Sequence, residues 1–132
     1  MIERLLNQSA AATLEQSASF HAARHKVLAE NVVNLSTPGY RQKDLDESKF
    51  RTELRRRLDE RDRGGTVDLA GLDSVAARQR AQQNLVFHDG NDRSVEQLMG
   101  DQAENALRHN LSVELLRKQY GLFQMALREQ VA

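Results

Sequence analysis

Two histidines are the residues of this chain best spaced for chemistry. His21 and His25 stand four apart, which puts both imidazoles on one face of a helix, the arrangement used by paired metal ligands. Between them lie Ala22, Ala23 and Arg24, with no glutamate to serve as a general base, and no third ligand follows at a recognisable spacing. His88 precedes an Asp89-Gly90 turn, and His109 stands far along the chain. There is no cysteine, which removes thiolate nucleophiles, disulfides and cysteine-held zinc together. Neither a glycine-rich phosphate loop nor a Gly-x-Ser-x-Gly elbow occurs. The acids are evenly matched by bases, 19 against 19, so nothing selects a catalytic pair. The expectation is a protein that is not an enzyme, with no cofactor and no metal.

The same two histidines fall on an apolar periodicity. Leu14, Ala18, His21, His25, Leu28, Val32 and Leu35 recur in four- and three-residue steps, a heptad-like seam in which polar residues can set register. The stretch from Ile2 to Leu35 contains no Pro or Gly and reads as one long helix, with its first dozen residues helical only where a partner covers them. It stops at Asn31-Val32-Val33-Asn34-Leu35-Ser36-Thr37-Pro38-Gly39-Tyr40. Pro38 and Gly39 suit the two central positions of a type II turn over Thr37 to Tyr40. Asn31 and Asn34, three apart at the helix end, are expected to bond carbonyls that have lost their helical partners.

From Asp46 to Arg63 the pattern is a charged helix. Glu47 and Arg51, Glu53 and Arg57, and Asp59 and Arg63 pair four apart in the favourable order, while Phe50, Leu54 and Leu58 give one docking edge, and Gly64-Gly65 ends it. Thr66 to Leu69 reads as a short strand and Asn84 to His88 as extended, so a small β annex or an irregular loop is expected in the centre. Ser94 with Gln97 forms a capping box that opens the last helix. Its seam is Leu98, Gln102, Asn105, His109, Val113, Leu116, Tyr120, Phe123 and Leu127.

These elements predict a mainly α protein, with the N- and C-terminal helices paired as an antiparallel coiled-coil hairpin. Residues 1–40 and 94–132 would form an axial core and 41–93 a variable central segment. Phe20, Val27, Leu107, Leu111, Leu115 and Leu122, off the seams, are expected to make lateral contacts between subunits, as is Leu6. Composition agrees with extended helices: of 132 residues, 39% are hydrophobic and 29% charged, with four Phe, two Tyr and no Trp, a thin supply for a compact core. Zero formal net charge argues against nucleic-acid binding, and the absence of a long apolar run argues against membrane insertion. No cleaved signal peptide is expected at the N-terminus.

The turn stretch resembles the signature of the bacterial flagellar axial proteins, in loose form Asn-x-x-Asn-x-x-Thr-Pro-Gly-Tyr, matched by Asn31, Asn34, Thr37, Pro38, Gly39 and Tyr40. Val33 and Leu35 stand where that family usually has Ala. Asp89-Gly90-Asn91, Ala103-Glu104-Asn105 and Lys118-Gln119-Tyr120 are similar to segments of the proximal-rod proteins of the FlgB type, with His109 replacing a usual aromatic. The resemblance implies a structural subunit of the flagellar basal-body rod, located in the periplasmic part of the basal body and exported by the flagellum's own type III apparatus. Its implied partners are other rod proteins, the basal ring or adaptor at the rod base, and further copies of itself in a helical tube. The alternative reading is a helical coiled-coil adaptor or chaperone-like binding module that forms a closed oligomer.

Overall fold

A computed structural model describes residues 10–65 and 94–131, with side chains described up to Glu129. The protein is mainly helical. Three helices follow in order: α1 (Ala10–Val33), α2 (Glu47–Asp62) and α3 (Val95–Val131). No strand forms among the described residues, and the strand expected at Thr66 to Leu69 and the extended stretch at Asn84 to His88 lie outside them. At 1.5 Å per residue, the 37 residues of α3 extend about 55 Å.

Local chemistry accounts for the helix boundaries. Asp46 caps α2, its side chain accepting the Lys49 N–H at 3.0 Å. Gly64 takes φ +87°, so that its N–H donates to Arg61 O at 2.9 Å and the Gly65 N–H to Glu60 O at 3.1 Å. That pair of bonds is a Schellman close, which requires the left-handed conformation glycine adopts without penalty. At the start of α3 the Ser94 N–H donates to Gln97 Oε1 at 3.0 Å and the Gln97 N–H to Ser94 Oγ at 3.3 Å, a reciprocal capping box.

The main apolar cluster corrects one expectation. Phe20 and Val27 of α1 are not lateral surface; they are buried against Leu45 and Phe50, with Leu54 and Leu58 packed alongside. Phe20 and Phe50 stack with ring centroids 4.3 Å apart and planes 12° from parallel. The physical reason is the length of the 34–46 connection, which brings the docking edge of the charged helix onto the flank of α1. Leu45, Phe50, Leu54 and Leu58 of the 41–93 segment therefore join the apolar cluster on α1. Burying each such side chain is worth about 1.5–3 kcal/mol.

Helices α1 and α3 pack together. Leu28 and Leu98 are fully buried. Positions that rise along α1 meet positions that fall along α3: Glu15 with Tyr120, Ser17 with Ser112, Ala18 with His109, and His21 with Asn105.

Candidate functional site

The stretch that ends α1 is a hydrogen-bonded unit centred on Asn31. The Asn31 side chain is fully buried. Its Nδ2 donates to Lys43 O at 2.5 Å, while its Oδ1 accepts the Lys43 N–H at 2.8 Å and the Tyr40 hydroxyl at 3.3 Å. A side-chain amide thus pairs with a backbone amide as a neighbouring strand would, satisfying polar groups that water no longer reaches. This differs from the expected carbonyl cap, because the chain doubles back after the turn and presents Lys43 to the amide. Asn34 does cap, donating to Glu30 O at 2.9 Å. Thr37 Oγ1 donates to Asn34 Oδ1 at 3.2 Å, and the Tyr40 N–H to Thr37 O at 3.2 Å. Gly39 sits at φ +76°, as the third position of a type II turn demands, and Pro38 is exposed beside it. Burial, with Glu30 nearby, raises the Tyr40 phenol above its ordinary pKa and keeps it a donor.

A charged junction lies about two turns further in. Arg24 forks onto Asp44, Nε to Oδ1 and Nη2 to Oδ2 both at 2.8 Å, and reaches Glu47 at 3.3 Å. The hydrogen bond to Asp44 outweighs burial and raises the Arg24 pKa further. Glu47 is shared among Arg24 of α1, Arg51 of α2 and Arg108 of α3. Burial alone would raise its carboxyl, but Arg108, the Arg51 hydrogen bond and the other cations hold it below the ordinary value. Sequence reading passed over Arg24 and Asp44 because their spacing of 20 is not a helical one.

The two histidines separate. His21 is buried at the α1–α3 contact, and His25 is exposed. Asn105 Nδ2 donates to His21 O at 2.8 Å, which turns Asn105 Oδ1 toward His21 Nδ1 at 2.9 Å, so that Nδ1 carries the hydrogen. Burial lowers the His21 pKa more than Asn105 and Glu47 raise it. His109 donates from Nδ1 to Ala18 O at 3.0 Å. Among the described residues no three His, Cys, Asp or Glu side chains gather as metal ligands.

Of the expected packing residues, Leu28 and Leu98 are fully buried, and Leu14, Ala18, Val32, Val113, Leu116 and Phe123 are half-buried. Leu35, Tyr120 and Leu127 are exposed, a departure from the predicted seam. Leu35 lies past the end of α1, and Tyr120 lies at its rim, with its hydroxyl on Glu15. Leu127 stands two turns beyond Tyr120, and the residues that precede Ala10 lie outside the described ones. By contrast Leu107, Leu111, Leu115 and Leu122 are exposed and available to a neighbour. Between α2 and α3, over α1, run two open hollows of about 540 and 300 Å³. No helix of the described residues is long and apolar enough to cross a membrane. No protein-family model, curated protein or solved structure matches the chain.

Proposed function

We propose that this chain is a structural subunit of the bacterial flagellar proximal rod, with no catalytic role. The observation that carries the reading is the Asn31 unit: Asn31, Asn34, Thr37, Gly39 and Tyr40 are all engaged in one turn that fixes how the chain leaves α1. A signature whose members act on one another has a structural task, which is what an axial subunit needs at the end of its helical layer. In this reading α1 and α3 form an antiparallel coiled-coil hairpin, supported by the opposed order of their hydrogen-bonded positions. The exposed leucines of α3 supply lateral contacts to other copies and to neighbouring rod or ring proteins, and contacts that do not close propagate as a tube. The tube would transmit torque and let exported subunits pass through its centre.

Electron microscopy of basal bodies from cells lacking this gene tests the proposal. Rings without a rod, restored by the intact gene and poorly by Asn31→Ala, are the expected result. Complete flagella on swimming cells would overturn it. The second reading, a helical adaptor or chaperone-like module, is favoured by the same exposed leucines, and predicts a closed dimer or tetramer of fixed size in solution.

A further inference from the structure

Among the described residues, His21 is the most deeply buried ionisable one, 5% exposed, and it lies where α1 meets α3. Its tautomer is set from outside the ring. Asn105 Nδ2 donates to His21 O at 2.8 Å, so Asn105 Oδ1 accepts from Nδ1 at 2.9 Å and only Nε2 is left to take a proton. His21 also lines the open hollow of about 300 Å³, which gives water a way to the imidazole.

The charged groups that face His21 come from all three helices: Arg24 from α1, Glu47 and Arg51 from α2, and Arg108 from α3. Their charges are already matched. Glu47 holds Arg24, Arg51 and Arg108, Asp44 holds Arg24, and Glu104 holds Arg108. A cationic His21 adds a fourth positive group to carboxylates that are already shared, in a site shielded from water. Burial is the largest obstacle to a charge there; the Asn105 bond and Glu47 offset part of it, and Arg108 and Arg24 add to it. The other flank of α1 has no such weakness. Phe20, Val27, Leu45 and Phe50 hold α2 on α1 without an ionisable group, and Glu47, its carboxyl held below the ordinary value, keeps its charge as pH falls toward 5. His109 differs from His21 too, since it is only half-buried and donates from Nδ1 to a carbonyl, a bond that a second proton leaves in place.

We propose that a proton on His21 Nε2 is an acid switch that loosens α3 from α1 while α2 stays docked. Released, α3 is a helix without its support, and Leu98, fully buried in the closed state, becomes reachable. The switch belongs to the free chain, whether that chain is a rod subunit or an adaptor.

Native-state hydrogen exchange on the full chain, corrected for the intrinsic rate at each pH, tests it. In the open state the imidazole titrates near its ordinary 6.5 whereas the closed one resists the proton, so opening becomes up to about tenfold more frequent between about pH 7.5 and about pH 5.5. Protection of the α3 amides from Asn105 to Ser112 should fall by about that factor, and protection of the α2 amides from Phe50 to Leu58 by less than about twofold. His21→Gln, neutral at every pH, should flatten the α3 profile. His25→Gln, at an exposed position, should leave it as in the native chain. Ring resonances of the native chain give a reading that needs no variant: His21 is expected to stay neutral, with its hydrogen on Nδ1, until the pH is below 6.5. Equal loss of protection in α2 and α3, protection that does not change with pH, an α3 profile unaltered by His21→Gln, or a His21 ring half-protonated at or above pH 6.5 would overturn the proposal. Each outcome is read on purified protein and leaves the basal-body test untouched.

Discussion

On one flank of α1, Phe20 and Val27 pack against Leu45 and Phe50, an apolar contact closed by a stacked pair of rings. On the other, Ser17, Ala18 and His21 meet Ser112, His109 and Asn105 through hydrogen bonds. The difference separates two tasks that a heptad pattern merges. Apolar burial is non-directional and supplies cohesion, whereas each polar pair is satisfied at one sliding position only and so supplies register. The helix that supplies Phe50 is the most charged in the chain, and the seams that bury Leu28 and Leu98 also bury His21 and Asn105.

Truncating the apolar flank should do the most damage. Phe20→Ala is expected to lose about 3–5 kcal/mol of stability in urea unfolding, since it removes a ring stacked at the centre of that contact. A loss below 1 kcal/mol would mean that α2 contributes little to cohesion. On the polar flank, Asn105→Ala should cost about 1–3 kcal/mol, because it leaves His21 Nδ1 buried without a partner and removes the second hydrogen bond of the His21 carbonyl. The paired change His21→Leu with Asn105→Leu should recover most of that loss while loosening register, detectable as broadened distances between spin labels on α1 and α3. If the double variant keeps one sharp distance, the polar pairs do not set register.

Smaller effects sharpen the contrast further. Gly39→Ala meets no atom within 4 Å, so its cost is the left-handed backbone alone, about 1–2 kcal/mol. Gly39→Asn should recover part of it, which a comparison of melting curves can check. The smallest effect belongs to pH. His21 is buried neutral, with a folded pKa below the ordinary 6.5. Below that ordinary value the unfolded chain takes up a proton that the folded chain refuses, so stability present above it is lost as pH falls through the folded pKa. Glu47, also depressed, adds a second loss beginning below its ordinary 4.5. Melting temperatures should therefore decline from pH 7 toward 5, and more steeply in the native chain than in His21→Leu.

What the sequence made legible was local. Pro38-Gly39, Ser94 with Gln97, and Gly64-Gly65 act within a few residues, so the turn, the capping box and the end of α2 follow from side-chain chemistry nearby. The acid-first pairs around Glu53 likewise mark α2 as a helix, and Arg56 and Arg57 hold the Glu53 carboxyl down to about 2. What sequence could not supply was the partner of a distant group. Phe20 reads as apolar and off the seam, but nothing within a turn of it says that Phe50 will cover it. Asn31 reads as a cap until the returning chain brings Lys43 within reach. The His21–Asn105 pair spans 84 residues, and only the polar positions on both seams hinted that they answer each other.

The Asn31–Lys43 clamp also orders events in time. It closes a loop of 12 residues, whereas His21 and Asn105 close one of 84, and the entropic difference between those closures is about 1.7 kcal/mol. The α1–turn–α2 unit is therefore expected to assemble first and to offer α3 a preformed surface. Pulse-labelled hydrogen exchange during refolding would read this as protection of the Lys43 amide ahead of the amides of α3. Simultaneous protection would mean that both flanks of α1 form in one concerted step.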